Sequence, residues 1–333
     1  MILLFWLTFS SYNPSPKETL KINSREGTKG FVKKNIHILS WNLGYAGLGK
    51  EMDFFYEGGN RVRPEREEFD DYFSGIKTTL VKMKDSVDFY FLQEVDKYSK
   101  RSYYTDEISG IAGVLNNYCY SFAKNYDCKF VPLPLNDPMG RVVSGIAVFS
   151  RYVPHQATRM DFGTSFGWPR QLFFLRRCFM VMRYPLDDGK ELVLVNIHNS
   201  TYDKNGKLRQ QEQRILRNFL LSEYKKGNYV IAGGDWNANP KGFDPRTFHN
   251  GDKGMRIDPP LPEDFMSGWG FAFDPSGPTN REVNAVYSSR KTRTTVIDFF
   301  IVSPNVHIVS SETLRYGFTF SDHQPVLLHA ELK

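Results

Sequence analysis

The chain has 333 residues, of which 41% are hydrophobic and 24% are charged, as in an ordinary soluble globular protein. Its formal net charge is +6, but residues 15–34 hold six basic and two acidic side chains and so account for +4 of it. The remainder offers no basic stripe of the kind that binds the phosphate backbone of duplex nucleic acid, and the length suits one large domain or two small ones.

The N-terminus begins with an apolar run, Met1–Ser10, which a polar stretch with two prolines follows. The run resembles the hydrophobic core of an export signal, but it is too short to span a bilayer and no basic segment precedes it. We interpret 1–14 as an apolar leader, a signal or an anchor, 15–34 as a linker and 35–333 as the folded domain. The leader predicts an exported or membrane-associated protein. The alternatives are a frayed apolar tail and a cytoplasmic protein.

The first half of the domain contains short apolar strands and two helices. We predict strands at Ile36–Trp41, Val87–Leu92, Ser121–Val131 and Ser144–Ser150, and helices over 64–83 (opened by Pro64) and 106–115. The intervening loop 43–63 holds five glycines and several aromatic residues. Long loops in compact domains tend to be functional or disordered, and the aromatic residues argue against disorder.

The second half adds five strands and one amphipathic helix. We predict strands at Gln171–Tyr184, Glu191–His198, Tyr229–Ala232, Thr294–Val302 and Val326–Leu332, and a helix at Leu208–Tyr224. Residues 239–281 are rich in proline and glycine and predict irregular surface loops. Strands and helices do not alternate strictly, so an α+β fold of two packed sheets flanked by helices fits better than one doubly wound sheet.

The three cysteines, Cys119, Cys128 and Cys178, fit neither a zinc-binding spacing nor a disulfide framework. Cys119 and Cys128 could pair in an exported protein. Buried free thiols are the favoured interpretation.

The stretch after the predicted strand Tyr229–Ala232 carries the clearest chemical signal. Gly233 and Gly234 end the strand, and Asp235 and Asn237 follow two residues apart, so that both side chains point the same way in an extended segment. At the end of a strand, this carboxylate and amide could hold and deprotonate a water molecule. Asp and Asn after two glycines are also common turn residues, so the stretch is not decisive alone.

Other strands also end in polar residues that can bind a metal or a phosphate. These residues are Asn42, Glu94, His198, Asp322 and His323. Each alone has a plainer explanation as a turn former, a solvated glutamate or a buried histidine. Asp298 differs, because a carboxylate inside an apolar strand needs a partner, and His323 is the natural one. The recurrence of the pattern predicts one shared site, and oxygen ligands without cysteine suit Mg²⁺ or Mn²⁺ better than zinc.

The order and spacing of these motifs resemble the endonuclease/exonuclease/phosphatase superfamily, which includes deoxyribonuclease I-like nucleases, exonuclease III-like repair enzymes, neutral sphingomyelinases and inositol-polyphosphate 5-phosphatases. The resemblance covers roughly residues 34–333. It rests on Trp41-Asn42, Leu92–Val95, Ser144–Arg151, Asn196–His198, Gly234–Asn237, Ile297-Asp298 and Ser321–Val326. The glycine-rich stretch 42–59 is similar to a bacterial subfamily of unassigned substrate. The Trp-Cys-Asp-Arg signature of the 5-phosphatases is absent.

This resemblance implies a four-layer α/β/β/α sandwich of two packed mixed sheets flanked by helices, with 35–333 as the catalytic domain and the site at one end of the sheets. It also implies a metal site. Glu94 would be the main metal ligand, and Asn42 and Asp322 would lie close to the metal, which would be Mg²⁺ or Mn²⁺.

The resemblance implies roles for the remaining polar residues as well. Asp235, steered by Asn237, would orient and deprotonate the attacking water. His323, held by Asp298, would bind or protonate the phosphate oxygens, and His198 would contact the phosphate from the other side. In-line attack on a phosphoester requires such a positioned water and such donors.

We therefore predict a Mg²⁺-dependent phosphoester hydrolase, in particular a monomeric phosphodiesterase. The alternatives are an endonuclease acting on DNA or RNA and, less favoured, a catalytically silent binding module on the same fold. The charge distribution favours a small molecule or a lipid headgroup over duplex nucleic acid as the substrate. Four arginines could bind phosphates, although a surface or salt-bridged position is favoured for each alone: Arg101, Arg170, Arg176 and Arg177.

Overall fold

The computed structural model describes residues 2–164, 166–201, 206–248 and 259–333, and these residues form four α-helices and fifteen strands. The helices are α1 (Ile2–Phe9), α2 (Arg66–Lys82), α3 (Glu107–Val114) and α4 (Lys207–Lys225). The strands are β1 (Lys17–Thr19), β2 (Asn35–Asn42), β3 (Phe89–Asp96), β4 (Cys119–Val131), β5 (Gly140–Ser150), β6 (Gln156–Asp161), β7 (Cys178–Pro185), β8 (Glu191–His198), β9 (Tyr229–Asp235), β10 (Gly270–Ala272), β11 (Asn280–Arg281), β12 (Thr294–Thr295), β13 (Asp298–Val302), β14 (Val306–Thr313) and β15 (Val326–Leu332).

Two large mixed sheets pack face to face at the centre of the fold. The first has the strand order β1-β6-β7-β8-β9-β13-β10, and the second has the order β14-β15-β2-β3-β5-β4. The pairs β2–β3 and β8–β9 are parallel, and the other neighbours are antiparallel. One apolar cluster fills the space between the sheets, a second lies between the second sheet and helices α2 and α3, and a third lies between the first sheet and α4. The predicted α/β/β/α sandwich is confirmed.

Helix α2 packs its apolar face against the second sheet. Phe69 and Leu80 lie on one face and are fully buried against the second sheet. The helix starts with a capping box, in which Glu65 is the N-cap and Glu68 accepts from its backbone N–H at 2.7 Å. The sequence places the start at Pro64, but that residue precedes the cap.

The prediction for Gln171–Tyr184 is only partly correct. The strand begins at Cys178, and the preceding Arg170–Phe173 forms a 3₁₀ turn. Tyr126 and Cys128 donate from their side chains to carbonyl oxygens of this turn, at 2.6 and 3.3 Å. These acceptors are therefore engaged by side chains and not by a neighbouring strand.

The segment 15–34 differs from the linker that its composition indicates. Strand β1 pairs with β6 at the edge of the first sheet. Asn23 bridges to Tyr120 at the edge of the second sheet, and Lys29 bridges to Tyr152. The segment therefore lies along the edges of both sheets and covers exposed backbone groups there.

The N-terminal helix α1 has eight residues. Among the helices of the described ranges, none combines the length and the apolar character needed to cross a membrane. Export or membrane association stays a prediction.

Cys119, Cys128 and Cys178 are buried free thiols, as predicted. Burial raises the pKa of Cys119 to about 12 and the pKa of Cys128 and Cys178 to about 11. The predicted loops at 239–281 contain the short strands β10 and β11, and their central part, 249–258, lies outside the described residues.

Candidate active site

A cavity of about 380 Å³ opens where β2, β3, β8 and β9 end. Two parallel pairs, one from each sheet, bring their C-terminal ends to the same edge of the sandwich. The cavity is lined by six of the eight predicted site residues: Glu94, His198, Asp235, Asn237, Asp322 and His323. The other two, Asn42 and Asp298, lie directly behind them and hold them by hydrogen bonds.

Glu94 reaches the cavity through an irregularity in β3. The pairing of β3 with β5 shifts register between Leu92 and Val95, and Glu94 has a φ of 49°. A positive φ is costly for a non-glycine residue and is found where a functional site demands it. The preceding Gln93 points the other way and donates to Asn196 Oδ1 of the facing sheet at 2.7 Å. At the bulge, Gln93 therefore binds the facing sheet and the next side chain, Glu94, lines the cavity.

Asn42 joins the two sheets at the floor of the cavity. Its Nδ2 donates to Glu94 Oε1 at 3.2 Å and to Asp235 Oδ2 at 3.1 Å, and its Oδ1 accepts from the backbone N–H of Gly44 at 3.0 Å. One amide therefore fixes the positions of two carboxylates that come from different sheets.

Asp235 is the last residue of β9, and the chain turns sharply around it. Gly234 has a φ of 138°, and a Cβ there would lie 2.2 Å from the carbonyl oxygen of Ile197, so only glycine fits. The backbone N–H of Asn237 donates to Asp235 Oδ1 at 2.9 Å. The Asn237 side chain instead donates to the carbonyl oxygen of Asn199. Asn237 therefore orients Asp235 through its backbone.

His323 and Asp298 form a buried hydrogen-bonded pair, with 2.8 Å between Nδ1 and Oδ2, as the sequence predicts. Burial lowers the pKa of His323, but Asp298, Asp322 and Asp235 outweigh burial and hold that pKa well above its ordinary value. His323 Nε2 lies 4.0 Å from an oxygen of Asp235 and of Asp322, and 3.0 Å from the amide of Asn280. The ring is therefore a cation with its second nitrogen directed at the cavity.

Two of the cavity carboxylates, Asp235 and Asp322, have raised pKa values. Burial raises the pKa of Asp235 to about 7, against the opposing charge of His323 and with a further increase from Asp298. Burial also raises the pKa of Asp322 to about 7, again against His323, and Glu94 adds to the increase. Both groups are therefore poised near neutrality, as acid–base groups in active sites often are.

His198 differs from His323 in its charge. Burial lowers the pKa of His198 well below its ordinary value, and the charges of Arg177 and His323 reinforce this. The ring is therefore neutral. Its Nε2 lies 3.4 Å from Asp235 Oδ2 and 3.6 Å from Glu94 Oε1, so the imidazole flanks both carboxylates.

The oxygen-rich donor set is compatible with a hard divalent cation. In the described ranges, no group of three or more His, Cys, Asp or Glu side chains forms a ready metal cage. Mg²⁺ does not require one, because it keeps several waters and binds through one or two carboxylates. Glu94 and Asp322 supply two such carboxylates, and the effect of Glu94 on the pKa of Asp322 shows a repulsion that a cation would relieve.

The four arginines considered as phosphate ligands occupy different environments. Arg101 lines the cavity, but Asp96 engages its guanidinium through two hydrogen bonds of 2.9 and 3.0 Å. Arg170 stacks on two phenylalanine rings, and Arg176 does not line the cavity. Arg177 lines the cavity and has no carboxylate within ion-pair distance in the part of the chain that the structure describes.

Two further cavity residues, Tyr45 and Asn280, were not assigned from the sequence. Tyr45 is buried with a φ of 44°, and the guanidinium of Arg101 lies 3.5 Å from the centre of its ring. Asn280 contacts His323. The available signal was their position in glycine-rich or proline-rich loops, which indicates a functional region but no particular side chain.

The fold and the carboxylate–histidine cavity define a class of phosphoester-processing protein, and the comparisons agree. Residues 39–323 match the model of the "Endonuclease/Exonuclease/phosphatase family". The chain therefore belongs to this family, whose members are generally phosphoester hydrolases. No curated protein matches the chain in sequence.

Solved structures share the fold at low identity. An endonuclease/exonuclease/phosphatase from Beutenbergia cavernae is 16% identical, with a TM-score of 0.58 over 90% of this chain and 72% of that one. A family member from Bacteroides vulgatus is 14% identical, with a TM-score of 0.56 over 90% of this chain and 100% of that one. ANGEL2, a 2′,3′-cyclic phosphatase in complex with adenosine-2′,3′-vanadate, is 14% identical, with a TM-score of 0.58 over 95% and 99%.

Proposed function

We propose that this protein is a divalent-metal-dependent phosphodiesterase that acts on small phosphodiesters. The observation that carries the proposal is the convergence of carboxylates and histidines in one cavity of about 380 Å³. The carboxylates are Glu94, Asp235 and Asp322, and the histidines are the neutral His198 and the protonated His323. This set supplies a base, a hydrogen-bond donor and ligands for a cation.

Asp235 is the group that orients and deprotonates the attacking water. The backbone of Asn237 holds its Oδ1, and its Oδ2 faces Asn42 and His198. A pKa of about 7 lets this carboxylate accept a proton near neutral pH. When bound at Glu94 and Asp322 beside Asn42, Mg²⁺ or Mn²⁺ would neutralise charge that develops on the phosphate.

His323 is the donor to the phosphate oxygens. Asp298 fixes its ring through Nδ1, so Nε2–H is left to donate into the cavity. Without substrate, the oxygen of a turned Asn280 amide can accept from Nε2–H, since the two amide orientations have the same shape. In the complex, a phosphate oxygen takes its place as the acceptor. The neutral His198 contacts the phosphate from the opposite side.

The dimensions and the walls of the cavity favour a small substrate. A volume of about 380 Å³ fits a phosphate and one modest substituent. The lining also includes the apolar side chains Leu48, Phe54, Phe173 and Leu175, which suit an aryl group, a nucleobase or the apolar part of a lipid headgroup. A nucleoside 2′,3′-cyclic phosphate enters the substrate panel because ANGEL2 is a 2′,3′-cyclic phosphatase. The monomeric state stays a prediction.

The test is a substrate panel on the purified full chain. After EDTA treatment, activity should be absent, and Mg²⁺ or Mn²⁺ should restore it on bis(4-nitrophenyl) phosphate and on a small cyclic or lipid phosphodiester. Glu94→Gln should abolish the metal-restored rate, and Glu67→Gln on the exposed face of α2 should not.

Three results would count against the proposal. Efficient nicking of plasmid DNA with no turnover of small diesters would identify an endonuclease. Preference for 4-nitrophenyl phosphate would identify a monoesterase. Metal binding without hydrolysis of any substrate in the panel would identify a silent binding module.

A further inference from the structure

Several buried donor atoms in the cavity wall have no hydrogen-bond partner among the described residues, Tyr45 Oη and Arg281 Nε among them. Two others, Arg177 Nη1 and Asn125 Nδ2, belong to chain segments that contact each other. Arg177 is 7% exposed and Asn125 is 2% exposed, and both residues line the same cavity as the catalytic groups. Buried donors are nearly always hydrogen-bonded, so the unpaired donors beside this cavity require an explanation.

The two residues belong to segments that lead to or lie in different sheets, and these segments contact each other beside the cavity. Asn125 lies in β4 between Lys124 and Tyr126, where the pairing with β5 shifts register, so that Asn125 is the extra residue of a bulge. Bulges redirect side chains and are frequent beside active sites. Arg177 immediately precedes β7, and the backbone N–H of Arg176 donates to the carbonyl oxygen of Asn125 at 2.7 Å. This bond brings the two segments into direct contact.

Arg177 contrasts with the four other buried arginines of the described residues, of which Arg281 donates to backbone carbonyl oxygens at 2.8 to 3.3 Å. Arg101, Arg159 and Arg293 each make a hydrogen bond to a carboxylate, at 2.9 to 3.1 Å. Arg177 has no such bond in the described ranges, although its charge lowers the pKa of both Glu212 and Asp235. An unpaired buried charge opposes folding, so a guanidinium in this position is best explained by a ligand that arrives later.

We propose that Arg177 and Asn125 form an anion subsite that binds phosphate oxygens of the substrate beside His198. This inference rests on the proposed function and adds substrate-binding residues to it. Both orphaned atoms are N–H donors, and the guanidinium presents its donors in a fork that matches two oxygens of one phosphate. The bound oxygens belong either to the scissile phosphate or to a second phosphate of the substrate.

The experiment measures inhibition by, and calorimetric binding of, inorganic phosphate and pyrophosphate, with Mg²⁺ and with EDTA. Arg177→Met should weaken binding of at least one anion by about 10- to 100-fold, as loss of a charge-assisted bidentate contact implies. Arg177→Lys should recover part of the lost anion affinity. Asn125→Asp should weaken anion binding as strongly as Arg177→Met, because a carboxylate would repel the anion and pair with Arg177. Arg176→Met is the matched control and should change nothing.

Two readouts separate this subsite from a structural role. The thermal midpoint of Arg177→Met should stay equal to that of the wild type or rise, because an unpaired buried charge is removed. A large fall in that midpoint with unchanged anion affinity would overturn the proposal. Anion affinities within twofold of the wild type in both Arg177→Met and Asn125→Asp would overturn it as well.

The two anions distinguish the two sources of the bound oxygens. Weaker binding of phosphate and pyrophosphate alike identifies the scissile phosphate. Weaker binding of pyrophosphate alone identifies a second phosphate group. The proposed function fails separately if the wild-type protein hydrolyses no diester, and calorimetry with EDTA then still tests whether the subsite binds an anion.

Discussion

The two ends of the β8–β9–α4 unit differ in whether their buried charges have partners. At the end where β8 and β9 begin, Arg183 donates to Glu191 at 2.6 Å and to Glu223 at 2.7 Å. Asn228 and Lys226 also donate to Glu223, at 3.0 and 2.7 Å. Burial would raise the pKa of Glu223, but Arg183 and Lys226 outweigh it and lower that pKa. Each of these charges therefore has a partner.

At the end where the strands finish, charges are left without full compensation. The pKa of Asp235 is raised to about 7, mainly by burial, and Arg177 has no carboxylate partner in the described residues. Buried charge alone therefore does not mark a site. A network that satisfies itself stabilises the fold, and an unsatisfied one costs stability and can be completed by a ligand.

The largest effect should follow Asp235→Asn. Removal of the proposed water-activating base should lower kcat by about 10³- to 10⁴-fold. The free energy of unfolding of the metal-free protein should not fall, because the substitution removes a buried charge. Turnover measurements check the expected fall in kcat, and urea unfolding checks the free energy of unfolding. Asp244→Asn, at an exposed position, is the control for both. Near-normal turnover would remove Asp235 from the mechanism.

Arg183→Met, at the end where β8 and β9 begin, should have a smaller effect, and it should lower stability and not activity. It leaves Glu223 and Glu191 without their shared partner, so the free energy of unfolding should fall by about 2 to 3 kcal/mol. The loss is below that of a fully broken buried pair, because Lys226 still contacts Glu223. The kcat should stay within about twofold of the wild type. A large loss of activity without loss of stability would contradict the division between the two ends.

The smallest effect is a difference in pH dependence between two glutamates of α4. Burial raises the pKa of Glu212 above its ordinary value of 4.5, against its bonds to Ser200 and Thr164 and the charge of Arg177. Its contribution to stability is therefore present below pH 4.5 and is lost as pH rises through the raised folded-state pKa. The pKa of Glu223 is lowered, so its contribution is present above pH 4.5 and is lost as pH falls through the lowered value.

The stability of Glu212→Gln relative to the wild type should therefore increase as pH rises from 4 to 8. The stability of Glu223→Gln relative to the wild type should decrease as pH rises through the acidic part of the same range. A tenfold difference in the acid dissociation constant between the folded and unfolded states corresponds to about 1.4 kcal/mol. Urea unfolding at a series of pH values measures both slopes, and slopes of equal sign would refute the assignment.

Much of the site could be predicted because strand ends are visible in sequence. Apolar runs that stop at Asn42, His198 and Asp235 mark the ends of β2, β8 and β9, and the run before Glu94 stops at the bulge of β3. Parallel neighbours bring such positions to one edge. The partner of Asp298 was also predictable, since a carboxylate in an apolar strand requires one. These inferences depend only on local patterns and on the cost of burying polar groups.

Arg177 and Asn125 could not be assigned in the same way. Arg177 stands beside Arg176 in a region whose strand prediction began seven residues too early, so nothing in the pattern distinguished the two. Asn125 faces the cavity because of a bulge in β4, and a bulge leaves no trace in apolar alternation. Their significance comes from the absence of partners, which is a property of the tertiary structure.

The bulge in β3 makes the length of the chain critical at this point. Gln93 ties the second sheet to Asn196 of the first, and Glu94 turns into the cavity one residue later. Loss of a single residue here would turn the chain beyond it to the opposite faces of the sheet. The inter-sheet tie and the cavity carboxylate would then be disrupted together. In this chain, the length between Leu92 and Val95 therefore holds both the inter-sheet tie and the cavity carboxylate in place.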